Sequence, residues 1–77
     1  MRWRTYTPDG RMLEIGHADG EWVALCNGFR GVGSSADEAL RLALDDETSP
    51  IGAAAATLAA WIREQAATLE REVEQGA

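Results

Sequence analysis

Residues 19–44 constrain the fold more than any other stretch, because a turn, a strand, a glycine-rich connector and a capped helix follow one another without interruption. Asp19-Gly20 is turn chemistry, glycine accepting backbone angles that other residues resist. Glu21-Trp22-Val23-Ala24-Leu25-Cys26 has the aromatic and β-branched content of a strand. Gly28 to Gly33 is expected to be a connector that uses its glycines for tight turning, with Phe29 and Val32 anchoring it to the core. Ser35-Ala36-Asp37-Glu38 is a capping box: the serine oxygen accepts the Glu38 amide and the glutamate reaches back. Ala36, Ala39, Leu40, Ala43 and Leu44 then fall at helical spacing, a stripe suited to covering a sheet.

The chain before this stretch supplies the rest of that sheet. Arg2 to Thr7 alternates as a strand does, and Pro8-Asp9-Gly10 suits a three-residue hairpin loop. Ala18-Asp19-Gly20 reads as the same loop type. Two such loops fix the register. Trp3, Ile15 and Val23 form one row and Thr5, Leu13 and Leu25 the next, all on an apolar face. The reverse face carries Arg4 beside Glu14, Tyr6 beside Met12 and Cys26, and Trp22 above Gly16. The expected architecture is α+β: a three-stranded antiparallel meander followed by a helix (β-β-β-α), with a long C-terminal helix.

That last helix reads from Ile51 to about Glu74, with Ser49 as N-cap and Pro50 as its first residue. Its stripe is Ala55, Leu58, Ala59, Ile62, Ala66, Leu69 and Val73. At 1.5 Å per residue it spans roughly 36 Å, whereas a globule of this length has a radius of gyration of about 11–12 Å. Either the far end projects or it packs on a partner. A second copy covering Leu58, Ile62, Leu69 and Val73 is the expected solution, which makes a homodimer possible. Residues 1–48 form the β-β-β-α unit; residues 49–77 form the acidic helix, part of the same small domain or an oligomerisation element.

Charge is unevenly placed. Residues 1–34 balance four arginines against four acids, while residues 35–77 set three arginines against nine acids, so the whole net charge of −6 lies on the helical half. Such a surface repels phosphate backbones and attracts basic proteins. One cysteine excludes an internal disulfide, and no apolar run is long enough for a membrane span, which together favour a cytoplasmic protein.

Catalytic chemistry finds little to work with. His17 and Cys26 are the nucleophile and base candidates, and the register above sets them on opposite faces. One histidine and one cysteine do not make a zinc set, and the Gly28–Gly33 spacing matches neither the dinucleotide nor the P-loop pattern. Gly28-Phe29-Arg30-Gly31 has the spacing of the short KH-domain loop, but it follows a strand in an acidic protein instead of joining two helices. No enzyme activity, cofactor or metal is expected. Trp22, Tyr6 and Met12 on the mixed face are the candidate partner site, since aromatic and methionine side chains are enriched at interfaces. Asp45, Asp46 and Glu47 add an acidic patch for a basic partner.

Asp19 to Ala24 and Gly28 to Leu44, with the run Gly33-Ser34-Ser35-Ala36-Asp37-Glu38-Ala39-Leu40, resemble HicB-type antitoxins over residues 9–46. Their partial ribonuclease-H-like fold has a turn, an aromatic-led central strand, a glycine connector and a Ser/Thr-x-x-Glu-Ala helix start. The resemblance implies a non-enzymatic inhibitor that blocks a small basic RNA-cleaving toxin. The DNA-binding segment such antitoxins usually append is not visible here. The expectation is therefore an acidic inhibitor module that binds a basic nucleic-acid-acting protein. Alternatives are a phage-encoded anti-CRISPR inhibitor of a guide-RNA effector, or a structural homo-oligomer built through the C-terminal helix.

Overall fold

The computed structural model describes residues 1–44 and 51–76. Its elements are β1 (Arg2–Tyr6), β2 (Met12–Ala18), β3 (Glu21–Cys26), β4 (Phe29–Gly33), α1 (Ala36–Leu44) and α2 (Ala53–Gly76). The strands pair in sequence order into one antiparallel sheet. The class is α+β with a long last helix, as expected, but the meander has four strands instead of three. The fourth is built from the residues assigned above to a connector. Asn27 and Gly28 take positive φ angles of 50° and 85°, a two-residue turn of the type that matches strand twist. It folds the chain straight back onto β3, and Phe29 and Val32 end up exposed instead of anchored in the core.

The two earlier loops differ from each other. The Thr7–Arg11 loop closes as expected: the Thr7 amide donates to the Arg11 carbonyl and the Gly10 amide to the Thr7 carbonyl, both at 2.9 Å. Trp3 then pairs with Ile15 and Tyr6 with Met12. The second loop has only two residues, Asp19 (φ 54°) and Gly20 (φ 75°), with Ala18 opposite Glu21. One residue fewer turns every β3 side chain over. Ile15 faces Ala24, Leu13 faces Cys26 and His17 faces Trp22. Trp22, Ala24 and Cys26 are therefore buried, and Val23 and Leu25 point away from the core.

Both helices lie on the same side of the sheet. α1 sits directly over β3 and β4, where Gly31 and Gly33 allow close approach. A Cβ at Gly31 would overlap the Ala39 carbonyl oxygen and lie 2.6 Å from the Ala43 nitrogen. The N-terminus of α1 is capped twice. Ser35 Oγ accepts the Glu38 amide at 3.2 Å, and Glu70 Oε1, from α2, accepts the Ala36 amide at 3.1 Å. The Glu38 carboxylate accepts from Ser34 Oγ at 3.5 Å, where a full capping box would turn it to the Ser35 amide. A carboxylate of the other helix thus completes the cap.

α2 begins after Gly52 (φ 66°), whose carbonyl accepts the Ala56 amide at 3.2 Å. Ile51 lies outside the helix, and the expected start at Ser49-Pro50 falls outside the described residues. Near its start, Ala54, Thr57 and Leu58 share a cavity with Pro8 and Asp9. At its far end, Gly76 lies beside the Met1 side chain. The helix therefore runs the length of the sheet, opposite in direction to β1. The molecule measures 38 × 22 × 18 Å with a radius of gyration of 11.8 Å, so the helix defines its long axis and does not project. Leu58, Ile62, Ala66 and Leu69 are buried in the chain's own core, and Val73 packs against it. The stripe expected to meet a second copy is already covered.

Candidate functional site

With both helices on one face, no described element covers the other face of the sheet. Strand alternation and the register set three rows across it. Tyr6 stands beside Met12 in the first row. Arg4, Glu14, Leu25 and Arg30 make the second. Arg2, Gly16, Val23 and Val32 make the third. A shallow depression of about 490 Å³ lies over Gly16, where a side chain is missing, between Arg2, Glu14, Val23 and Leu25.

This face is apolar for an exposed one. Tyr6 is 64% accessible, and Met12, Leu25 and Val32 are exposed as well. Its charges nearly cancel: Arg2, Arg4 and Arg30 stand against Glu14 and Glu21, and Arg4 pairs with Glu14 at 3.0 Å. A solvated pair of this kind contributes little to stability. The sheet surface is thus close to neutral, whereas the two described helices carry six acids against three arginines.

Of the side chains expected to meet a partner, Tyr6 and Met12 stand together on this face. Trp22 does not. It is 4% accessible, stacked on Trp3 with ring centroids 5.7 Å apart and tilted against His17 at 4.5 Å. The Trp3 indole N–H donates to Glu72 Oε2 at 2.6 Å, which joins β1 to α2 across this aromatic group. Trp22 is a core residue because the two-residue loop turned β3 over. Asp45, Asp46 and Glu47 lie outside the described residues. Leu25, Val23 and Val32 are the face residues that sequence reasoning placed elsewhere. The Asp19-Gly20 and Asn27-Gly28 dipeptides, strong hairpin signals, are what would have found them.

His17 and Cys26 share the core-facing side of the sheet; they are not on opposite faces. Cys26 pairs with Leu13 and His17 with Trp22, four residues apart along β2, or about 13 Å. That is too far for one to deprotonate the other. Among the described residues, no three of His, Cys, Asp and Glu group so as to hold a metal ion, and no helix is long and apolar enough to cross a membrane. Among the described residues, one carboxyl is perturbed. The Thr7 hydroxyl, which donates to Asp9 Oδ1, holds that group below the ordinary carboxylate range, with Arg11 adding to the effect at 2.9 Å. Both contacts close the first hairpin loop.

Comparison with protein-family models, with curated proteins and with solved structures finds no match for the chain.

Proposed function

We propose that the chain is a protein-binding module of inhibitor type, which docks through the open face of its sheet. The observation that carries the reading is that Tyr6, Met12, Leu25 and Val32 are all exposed on one uncovered surface. Half-solvated antiparallel sheets ordinarily turn polar side chains outward, and contiguous exposed apolar groups mark interaction surfaces. Charge selects the partner. The net −6 sets the long-range field, which draws in a basic protein and repels bare nucleic acid. The nearly neutral face then makes the contact. A basic protein that itself acts on nucleic acid is the class of partner this combination suits, in the manner of an antitoxin on its toxin.

The test is capture of basic proteins on immobilised chain from native extract at low and at moderate salt, with the face variant Leu25→Asp run in parallel. A basic partner that wild type retains at low salt, and that both the variant and added salt release, supports the reading. Equal retention by wild type and Leu25→Asp refutes the face as the docking surface. A partner whose retention does not depend on salt refutes the electrostatic selection.

A further inference from the structure

We propose that β4 is where two copies of this chain join, edge to edge, into one continuous sheet. β4 is the last strand in the sheet order, so one of its sides is unpaired among the described residues. Natural edge strands are guarded by charge, proline or a bulge. β1, the opposite edge, carries Arg2 and Arg4, whereas β4 reads Phe29-Arg30-Gly31-Val32-Gly33, with one charge and no proline.

The register says which peptide groups are free. The turn at Asn27-Gly28 bonds the Phe29 amide back to Cys26, so Phe29, Gly31 and Gly33 direct their peptide groups at β3. Arg30 and Val32, alternating with them, direct theirs outward. Antiparallel pairing of two β4 strands about a two-fold axis at Gly31 sets Arg30 of each copy against Val32 of the other. Those are the residues whose amides and carbonyls are available, and they exchange four hydrogen bonds in total. Of the two neighbouring compatible registers, the one centred on Arg30 opposes two arginines and is disfavoured. The one centred on Val32 sets Arg30 and Phe29 opposite Ser34 and Ser35, beyond the end of the partner's β4.

The side chains agree with this axis. Phe29 shares the helix side of β4 with Gly31 and Gly33 and is 48% accessible. In the paired arrangement it falls opposite Gly33 of the second copy, beside the Glu38 side chain that lies over that glycine. Leu42, on α1, has its Cβ 2.9 Å from where a Gly31 Cβ would be, and it is 53% accessible. It overhangs the same edge. Backbone, charge and apolar side chains thus meet at one seam, and a second copy satisfies all three. The seam takes in only Arg30 and Val32 of the open face and leaves Tyr6, Met12 and Leu25 clear, so the Leu25→Asp variant separates this proposal from the docking reading.

Sedimentation equilibrium from micromolar to millimolar concentration tests it, on wild type, Val32→Pro, Leu42→Lys and the face variant Leu25→Asp. Proline at Val32 removes an amide that β3 does not use, so circular dichroism is expected to match wild type. Wild type is expected to approach twice the chain mass of 8.3 kDa. Each of the two edge variants is expected to weaken the dimer by about tenfold or more. If Val32→Pro fails to fold, Leu42→Lys decides alone, because its side chain is on the surface. A wild type that stays monomeric throughout overturns the proposal. So does a dimer that the folded edge variants leave unchanged, or one broken only by Leu25→Asp, which would place the contact on the sheet face.

Discussion

Replacing Gly31 with alanine tests the packing on which the whole helical layer rests. The new Cβ would overlap the Ala39 carbonyl oxygen, and would lie 2.6 Å from the Ala43 nitrogen and 2.9 Å from Leu42 Cβ. Two of these three atoms are helix backbone, so no rotamer change relieves the overlap and α1 must lift. The helix is packed tightly, with Ala36, Ala39, Leu40 and Ala43 all at 0% accessibility. Overpacking of a core typically costs about 1–3 kcal/mol, and the rigid partners put this site at the upper end, about 3 kcal/mol. A domain of this length has a total stability of roughly 4–12 kcal/mol. With a urea slope near 1 kcal/mol/M, the midpoint should fall by about 3 M. Two other strand glycines serve as controls. At Gly33 the overlap is with Glu38 Cβ at 2.8 Å as well as with its Cγ and Cδ. The outer atoms can swing away but the Cβ cannot, so alanine there should cost about 1–2 kcal/mol, less than at Gly31. At Gly16 the nearest atom is the Met1 carbonyl oxygen at 3.8 Å, an ordinary contact. Alanine there should be neutral or gain up to about 1 kcal/mol by restricting the unfolded chain. Urea unfolding followed by tryptophan fluorescence ranks the three. A Gly31→Ala variant within about 0.5 kcal/mol of wild type, or no worse than Gly16→Ala, would refute the close seating of α1 on β4.

Both caps of α1 should register in the same assay: Ser35→Ala and Glu70→Ala are each expected to cost on the order of 1 kcal/mol, the second although its side chain belongs to the other helix. Trp22→Ala should cost about 3–5 kcal/mol, whereas Tyr6→Ala should stay within about 0.5 kcal/mol; the reverse order would return Trp22 to the surface. Asp9 gives a pH dependence of known sign. Its carboxyl is held below the ordinary value when folded, so the ionised form stabilises the fold above that ordinary value, and this contribution is lost as pH falls through the folded value. Asp9→Asn should therefore lower the urea midpoint at neutral pH and reduce its loss below about pH 4; an unchanged acid limb would refute the Thr7–Asp9–Arg11 account.

Signals that act within a few residues were legible in the sequence. The first hairpin and its register, the Ser35 cap, the α1 stripe and the long last helix all follow from adjacent chemistry. What fails is choosing the second loop's length by sorting the sheet into an apolar and a mixed side, because the structure does set Glu14 beside Leu25. Ala18-Asp19-Gly20 suits three loop residues, but Asp19 accepts a left-handed conformation, as Asp and Asn do more readily than most residues. The loop shortened by one, and β3 inverted. The candidate site suffered directly, since Trp22 and Leu25 exchanged faces. β4 was missed for a different reason. Gly31 and Gly33 look like a connector because glycine weakens an isolated strand, and their purpose becomes visible only when α1 is lying against them. The reach of α2 was misjudged because a radius of gyration says nothing about shape.

The open face is the geometric counterpart of the helical layer. α1, nine residues long, spans about 14 Å and crosses β3 and β4. The remaining half of the same face is left to α2, whose buried residues run from Leu58 to Leu69. Every buried helical side chain is thus spent on one side of the sheet. If the reverse side answered only to solvent, its positions would carry charge, as Arg2, Arg4, Glu14 and Arg30 do. Instead Tyr6, Met12, Leu25 and Val32 interrupt that pattern in adjacent rows, at a cost in solubility that no internal contact of the described chain offsets. A partner that covers them offsets it, and this is the physical ground for treating the uncovered face, in preference to the acidic helices, as the surface that makes contact.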